Sequence, residues 1–160
     1  MAVRKLKIYL DTSVISHLEA PDTPEKMQDT QKLWKDLESG KFDIVISDIT
    51  LYELNQCAQP KLSNFLSMLQ RISYVDINKS DEAELLSEMY FEFGGLPPKS
   101  KEDALHIAIA VAAGCNVILS WNFKHIVNLC AMTAVDAVNL KEGYRSLRIL
   151  SPTMLLESEE

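Results

Sequence analysis

Short, mostly β-branched apolar runs alternate along this chain with longer stretches whose apolar residues recur at helical spacing. The short runs are 7–10 (KIYL), 43–47 (DIVIS), 72–76 (ISYVD), 116–120 (NVILS) and 148–150 (RIL). They are nearly continuous in apolar character, as parallel strands covered on both faces are. Between them, residues 24–39 place Met27, Leu33, Trp34 and Leu37 on one helical face, and the pattern stops before Gly40. Residues 61–71 repeat the spacing with Leu62, Phe65, Leu66 and Leu69. Ser80 reads as the N-cap of a helix running to Phe93, with Asp81 and Glu82 at its positive end. Residues 103–113 are apolar nearly all round and predict a buried helix. The segment Gly94-Gly95-Leu96-Pro97-Pro98 is the strongest break, yet it joins two helices of one core. Trp34, Tyr90, Phe91 and Phe93 fall on helical patterns and read as core or interface. The alternation predicts an α/β fold: one domain over residues 1–152, with a central parallel sheet of about five short strands flanked by helices, and an acidic tail over 153–160.

Composition narrows the class. The chain has 160 residues, of which 47% are hydrophobic, enough for one domain with a sizeable core. A disordered or collagen-like chain is excluded, because such compositions bury too little surface to offset chain entropy. The longest nearly apolar run, 107–119, is interrupted by Gly114 and Asn116 and falls short of the roughly 20 residues of a membrane span. The basic start has no apolar signal core behind it, so a cytoplasmic protein is expected. Cys57, Cys115 and Cys130 are odd in number and lack CxxC spacing, and are expected to be small buried hydrophobes. The net charge of −7 counts against a nucleic-acid partner, which usually leaves a basic footprint.

Open α/β sheets bind ligands beyond the carboxyl ends of their strands. There the sequence offers Asp11, Thr12 and Ser13 after the first strand, and Ser47 followed by Glu53 after the second. Asn122 follows the fourth strand, and Asp103 opens the buried helix. Each has a local reading. Asp11 or Thr12 caps a helix, Thr50 and Glu53 form a capping box, Ser100 and Asp103 a weaker one, and Asn122 is an N-cap. Capping does not explain why three carboxyl groups and an amide converge from four distant segments. Clustered carboxylates repel one another unless a cation neutralises them, and an oxygen-only set selects a hard ion such as Mg²⁺ or Mn²⁺. His17, His106 and His125 have no zinc spacing, and His106 reads as a core histidine. Lys99, Lys101, Lys124 and His125 flank two of the site positions, either as solvated side chains or as contacts to substrate phosphates. No glycine-rich phosphate loop lies between a strand and a helix.

These residues carry a resemblance. Tyr9-Leu10-Asp11-Thr12-Ser13, Ser47 through Glu53-Leu54, Lys101-Glu102-Asp103-Ala104-Leu105-His106-Ile107-Ala108 and Leu119-Ser120-Trp121-Asn122-Phe123 resemble, in order and spacing, the motifs of PIN domains. These are metal-dependent nucleases that include the VapC-type toxins of toxin–antitoxin pairs. The likeness runs from about residue 7 to residue 151. It implies a PIN-like fold and three acidic metal ligands, Asp11, Glu53 and Asp103, with Asn122 as a fourth catalytic position where many relatives carry aspartate. Thr12, Ser13 and Ser47 are implied as supporting residues. The implied activity is divalent-metal-dependent hydrolysis of RNA with one or two Mg²⁺ or Mn²⁺ ions, leaving a 5′-phosphate and a 3′-hydroxyl. A homodimer and an antitoxin partner are implied too, the latter placing an arginine among the carboxylates. The alternative is a PIN-like module that binds a protein or RNA without cutting it. A haloacid-dehalogenase-type phosphatase would need an aspartate at Ser13, and a receiver domain a second acid beside Asp11. The charge objection weakens on this reading. Six of the negative charges are the three ligands and the tail residues Glu157, Glu159 and Glu160, so the rest of the chain is close to neutral.

Overall fold

A computed structural model describes residues 4–159; residues 1–3 of the expected domain and Glu160 of the expected tail lie outside that range. The apolar runs become β1 (Lys7–Leu10), β2 (Asp43–Ser47), β3 (Tyr74–Ile77), β4 (Val117–Leu119) and β5 (Arg148–Leu150). All neighbouring strands pair in parallel, in the order β3-β2-β1-β4-β5. The connections supply α1 (Thr12–Ser16), α2 (Pro24–Glu38), α3 (Asp48–Leu54), α4 (Lys61–Leu69), α5 (Asp81–Phe93), α6 (Lys101–Ala112), α7 (Leu129–Glu142) and α8 (Pro152–Ser158).

Alternate side chains of a strand enter opposite faces of a sheet, and both faces here are covered. Tyr9, Val45, Ile118 and Ile149 point into a layer built with Leu86, Ile107 and Val135 of α5, α6 and α7. Ile8, Leu10, Ile44, Ile46 and Leu119 enter the other layer, with Val14, Trp34, Phe65 and Leu155 of α1, α2, α4 and α8. Each fully buried Leu, Ile or Phe contributes on the order of 2 kcal/mol, so the two apolar layers hold the sheet in place.

The boundaries differ from expectation where local hydrogen bonding takes over. Ile72 closes the turn after α4, its N–H bonded to Leu69 O at 3.3 Å, so the strand starts at Tyr74. Ser47 caps α3 by accepting from Thr50 N at 3.3 Å, which puts Thr50 inside the helix and leaves no Thr50–Glu53 capping box. Ser100 turns its hydroxyl back to Pro97 O, and α6 begins at Lys101. Leu66, expected on the buried face of α4, is 38% exposed. Cys115 is buried, whereas Cys57 is half-buried and Cys130 is exposed. Most of the segment read as an acidic tail forms α8, capped by Ser151, with Leu155 buried. Among the described residues, no helix is long and apolar enough to cross a membrane.

Strand order decides where a site can form. β2 and β3 lie to one side of β1, and β4 and β5 to the other. The chain leaves β1 and β4 in diverging directions, which opens a crevice at their carboxyl ends. Asp11 N–H donates to Leu119 O at 3.3 Å and keeps those two ends together. The start of α6 is set by the turn before it. Gly94 ends α5 at φ +96°, and Gly95 lies so close to α7 that a Cβ there would stand 2.4 Å from Ala134 Cβ and 2.7 Å from Cys130 O. Gly95→Ala is therefore expected to destabilise the protein by about 1–3 kcal/mol, through overpacking against backbone that cannot yield. The shift of the urea midpoint measures it.

Candidate functional site

Asp11 follows the last residue of β1 and has two duties. Its Oδ1 accepts from Val14 N at 3.2 Å, capping α1, and from Ser13 Oγ at 2.6 Å. A carboxylate 4% exposed at the end of a central strand is costly to ionise. Burial pushes its pKa above the usual carboxylate range, against the opposing pull of the His106 charge and of the Ser120 and Ser13 hydroxyls.

His106 is the hub. It stands three residues after Asp103 on α6, on the same helical face, and is 2% exposed. Its Nε2 lies 2.5 Å from Glu53 Oε1 and its Nδ1 2.6 Å from Tyr9 OH. Tyr9 OH in turn lies 2.6 Å from Ser47 Oγ. Burial pushes His106 down. The hydrogen bond to Glu53 and the charges of Asp11, Glu53 and Asp103 overcome this and hold its pKa above the ordinary histidine value. In either protonation state its Nε2–H donates to Glu53; Nδ1 donates to the Tyr9 oxygen when the ring is charged and accepts from the Tyr9 hydroxyl when it is neutral. Burial raises the Tyr9 phenol well above its usual range, so it stays protonated.

Glu53 comes from the last turn of α3. Burial pushes its pKa up, but the hydrogen bond and charge of His106, together with Thr12 Oγ1 at 3.0 Å, bring it below the usual range. Among the described residues, both side-chain partners sit on Oε1, and Oε2 has no side-chain hydrogen bond. Asp103 Oδ2 pairs with His125 Nδ1 at 3.0 Å. Asn122 is half-buried. Its Oδ1 accepts from His125 N at 2.9 Å, and its carbonyl accepts from Ile126 and Val127, so it organises the loop after β4. Ser13 links that loop to Asp11, because its Oγ also accepts from Trp121 N at 2.9 Å.

Asp11, Glu53 and Asp103 thus surround one buried histidine, supported by Thr12, Ser13 and Ser47. The basic residues are not gathered together. Lys99, Lys101 and Lys124 are all exposed. Lys124 and His125 border a groove of about 670 Å³ beside Pro97 and Pro98, whereas Lys101 borders a separate one beside Phe91 and Leu105. Tyr9 and the linking role of His106 escape a search for metal spacing. The legible signal was the three-residue interval between Asp103 and His106, which puts both on one face of α6.

The donor set consists of carboxylate oxygens at a buried, negatively charged crevice, which fits a hard divalent ion. Among the described residues, no three His, Cys, Asp or Glu side chains stand where they could grip one ion together. An ion bound here would therefore take at most two of these side chains directly and keep water at its other positions. The pH dependence of stability follows from His106. Its raised pKa adds stability that is fully present below its unfolded value of 6.5 and is lost as pH rises through the folded value. In EDTA, the melting temperature of wild type minus that of His106→Gln is expected to be largest near pH 6 and to shrink as pH rises to 9. A difference independent of pH would contradict a charged His106.

Comparison with known proteins gives the fold its relatives. A family model described as PIN domain matches residues 7–124. Among solved structures, VapBC2 from Rickettsia felis, bound to a DNA fragment from its promoter, aligns at a TM-score of 0.53 with 18% identity, over 91% of this chain and 98% of that one. The Mycobacterium tuberculosis toxin VapC20, which cleaves the sarcin-ricin loop, aligns at 0.53 with 17% identity, over 69% of this chain and 86% of that one. At such identities the likeness is one of fold. No curated protein matches the sequence. The family match covers most of the chain and includes three of its carboxylates, Asp11, Glu53 and Asp103, as well as Asn122: this protein belongs to the PIN-domain family.

Proposed function

We propose that this chain is a divalent-metal-dependent endoribonuclease, working with one or two Mg²⁺ or Mn²⁺ ions. The observation that carries the reading is the approach of Asp11, Glu53 and Asp103 to one crevice at the carboxyl ends of β1 and β4, with Glu53 hydrogen-bonded to the buried His106 and Asp103 to His125. Three carboxyl groups this close repel one another when ionised and raise each other's pKa, and a dication is the natural complement.

In this reading Asp11, Glu53 and Asp103 would hold the metal, one or two of them directly and the rest through water on the ion. A bound dication supplies Lewis acidity, easing loss of a proton from water and neutralising charge on the leaving oxygen of a phosphodiester. The remaining steps belong to the protein. Ser13 and the start of α1 fix the Asp11 carboxylate, so that it does not rotate away from the crevice. Thr12 and His106 hold Glu53 by one oxygen and present the other. His125 does the same for Asp103. A carboxylate at the site accepts the proton that water gives up as it attacks phosphorus. Asn122 cannot act as a base; its amide holds the loop that frames the crevice. Lys124 and His125, along the adjoining groove, contact the RNA backbone.

The same reading makes the protein a VapC-like toxin, held silent by a partner whose arginine enters the crevice and pairs with the carboxylates in place of metal. Support comes from the PIN family match and from the fold shared with VapC20 and with the VapBC2 complex. A cytoplasmic homodimer follows from the resemblance, and light scattering on the purified chain measures that oligomeric state.

Cleavage of an RNA panel in Mn²⁺ and in EDTA tests the activity. Cutting is expected only with metal. Asp103→Asn is expected to lose more than the roughly 10–100-fold that removal of an outer partner costs, and His106→Gln, which loosens Glu53 without removing a ligand, about that amount. Wild-type rates from Asp103→Asn, or equal cutting in EDTA, would contradict the proposal. Metal binding without cleavage of any RNA would favour the non-cutting module. Co-purification with a small protein encoded beside this one is the expected sign of an antitoxin, and lack of any such neighbouring frame weighs against it.

A further inference from the structure

The chain begins with a basic run that the crevice does not use, and the fold adds to it. Arg4 and Lys5 precede β1 and Lys7 opens it; Arg145 lies in the turn from α7 and Arg148 opens β5. All five stand at the amino ends of their strands, across the sheet from the carboxylates. Three of the four arginines of an acidic chain are thus gathered at one end. Arg4, Lys7 and Arg145 line one cavity of about 370 Å³, and Arg148 borders the adjoining one, Tyr144 lying between. Asn116 fixes the frame. Its Oδ1 accepts from Lys7 N at 2.8 Å, its N–H donates to Lys7 O at 2.8 Å, and its carbonyl accepts from Arg148 N at 3.0 Å. The backbones of Lys7 and Arg148 are therefore held on either side of β4, about 10 Å apart at two strand spacings.

Helix ends explain part of this cluster. α6 and α7 both finish here, and a cation complements the carboxyl end of a helix. Lys7 does so, its Nζ donating to Ala113 O at 2.6 Å. The other four cations are exposed. The acids beside them are Asp43, opposite Lys7 in the register of β1 and β2, Glu142 at the end of α7, and Glu82, which takes the Tyr144 hydroxyl. Among the described residues, none of the five cations forms an ion pair with these or with any other carboxylate. Exposed arginines without carboxylate partners, spaced along a rigid edge, match a ligand that offers acceptor oxygens in series, as the phosphates of a nucleic-acid backbone do. We propose that Arg4, Lys5, Arg145 and Arg148 form a second RNA-binding surface, which grips the phosphodiester backbone away from the cut. The inference rests on the ribonuclease reading and adds a site remote from the crevice. An RNA long enough to run from the crevice to the far end of the sheet gains these contacts. Phosphate contacts carry no base sequence, so the surface adds affinity without choosing the bond that is cut. It also reconciles the net charge of −7 with an RNA substrate, because the basic footprint is concentrated at the end remote from the carboxylates.

The test measures affinity for a mixed-sequence 40-nucleotide RNA by fluorescence anisotropy in Mn²⁺, using Asp103→Asn as the background so that the RNA is not consumed. Arg145→Gln combined with Arg148→Gln is expected to weaken binding about tenfold in about 0.1 M salt. The slope of log affinity against log salt should become shallower by about 1.5, the share of two phosphate contacts. Arg145→Lys with Arg148→Lys, which keeps the charges, should recover most of that slope. Lys32→Gln with Lys35→Gln removes the same charge from the exposed side of α2 and should leave affinity within about twofold. Unchanged affinity in the arginine pair overturns the surface and leaves an acidic protein as the partner of this end. An equal loss in the lysine pair, the mark of net charge alone, overturns it too, as does failure of the RNA to bind. The nuclease reading is judged separately, by cleavage with the Asp103 chain intact. Cutting of RNA without any effect of the arginine pair removes the surface and keeps the nuclease. The arginine effect without any cutting does the reverse.

Discussion

The fold is organised around a charge that needs an opposite. Asp11, Glu53 and Asp103 reach one crevice from the end of β1, from α3 and from α6, and His106 is buried among them, its pKa held up by their charges. A buried carboxylate with no partner would cost several kcal/mol or take up a proton. Here the cost is met by hydrogen bonds to Oδ1 of Asp11 and Oε1 of Glu53, and by the His106 ring held between Glu53 and Tyr9. The polar chain from Ser47 through Tyr9 and His106 to Glu53 crosses the carboxyl end of the sheet. It therefore couples the alignment of β1, β2 and α6 to the geometry of the site.

The scaffold makes that possible through strand order. β1 has β2 on one side and β4 on the other, so the segments leaving β1 and β4 part company above it. Alternation along β1 then sends Tyr9 toward α6 and leaves Asp11 at the strand's end, one to reach His106 and the other to cap α1. Gly95 completes the arrangement. Only a residue without Cβ lets the turn before α6 lie against α7, and this turn leads into the helix that carries Asp103 and His106.

Much of this was legible from residue order alone. The five apolar runs became the five strands because a parallel sheet covered on both faces needs side chains that are apolar throughout. The sequence offers Asp11 as a helix cap, and the structure shows that cap directly. What escaped were contacts set by tertiary geometry. Nothing local to Tyr9 says that its hydroxyl faces His106, and nothing in Asn122 separates a ligand from the loop anchor it forms. The apolar pattern over residues 129–142 does not predict a helix, because its apolar positions run round α7: Ala131, Val135 and Val138 face the core while Leu129 and Leu140 are exposed. The segment after Ser151 hid α8 for a different reason. Its acids dominated the reading, yet Leu155 packs it into the layer that holds α2. Phe123 read as part of a motif, and its exposure is visible only once the loop is built.

The central claim is that the carboxylates around His106 form a site for a divalent cation. Thermal unfolding in increasing Mn²⁺ tests it most directly, because a ligand of the native state alone must raise stability, by about 2.7 kcal/mol at a hundredfold excess over its Kd. The melting temperature of wild type is predicted to climb through millimolar Mn²⁺, and that of Asp103→Asn to climb much less. A wild-type melting temperature that does not move with Mn²⁺ would contradict the account.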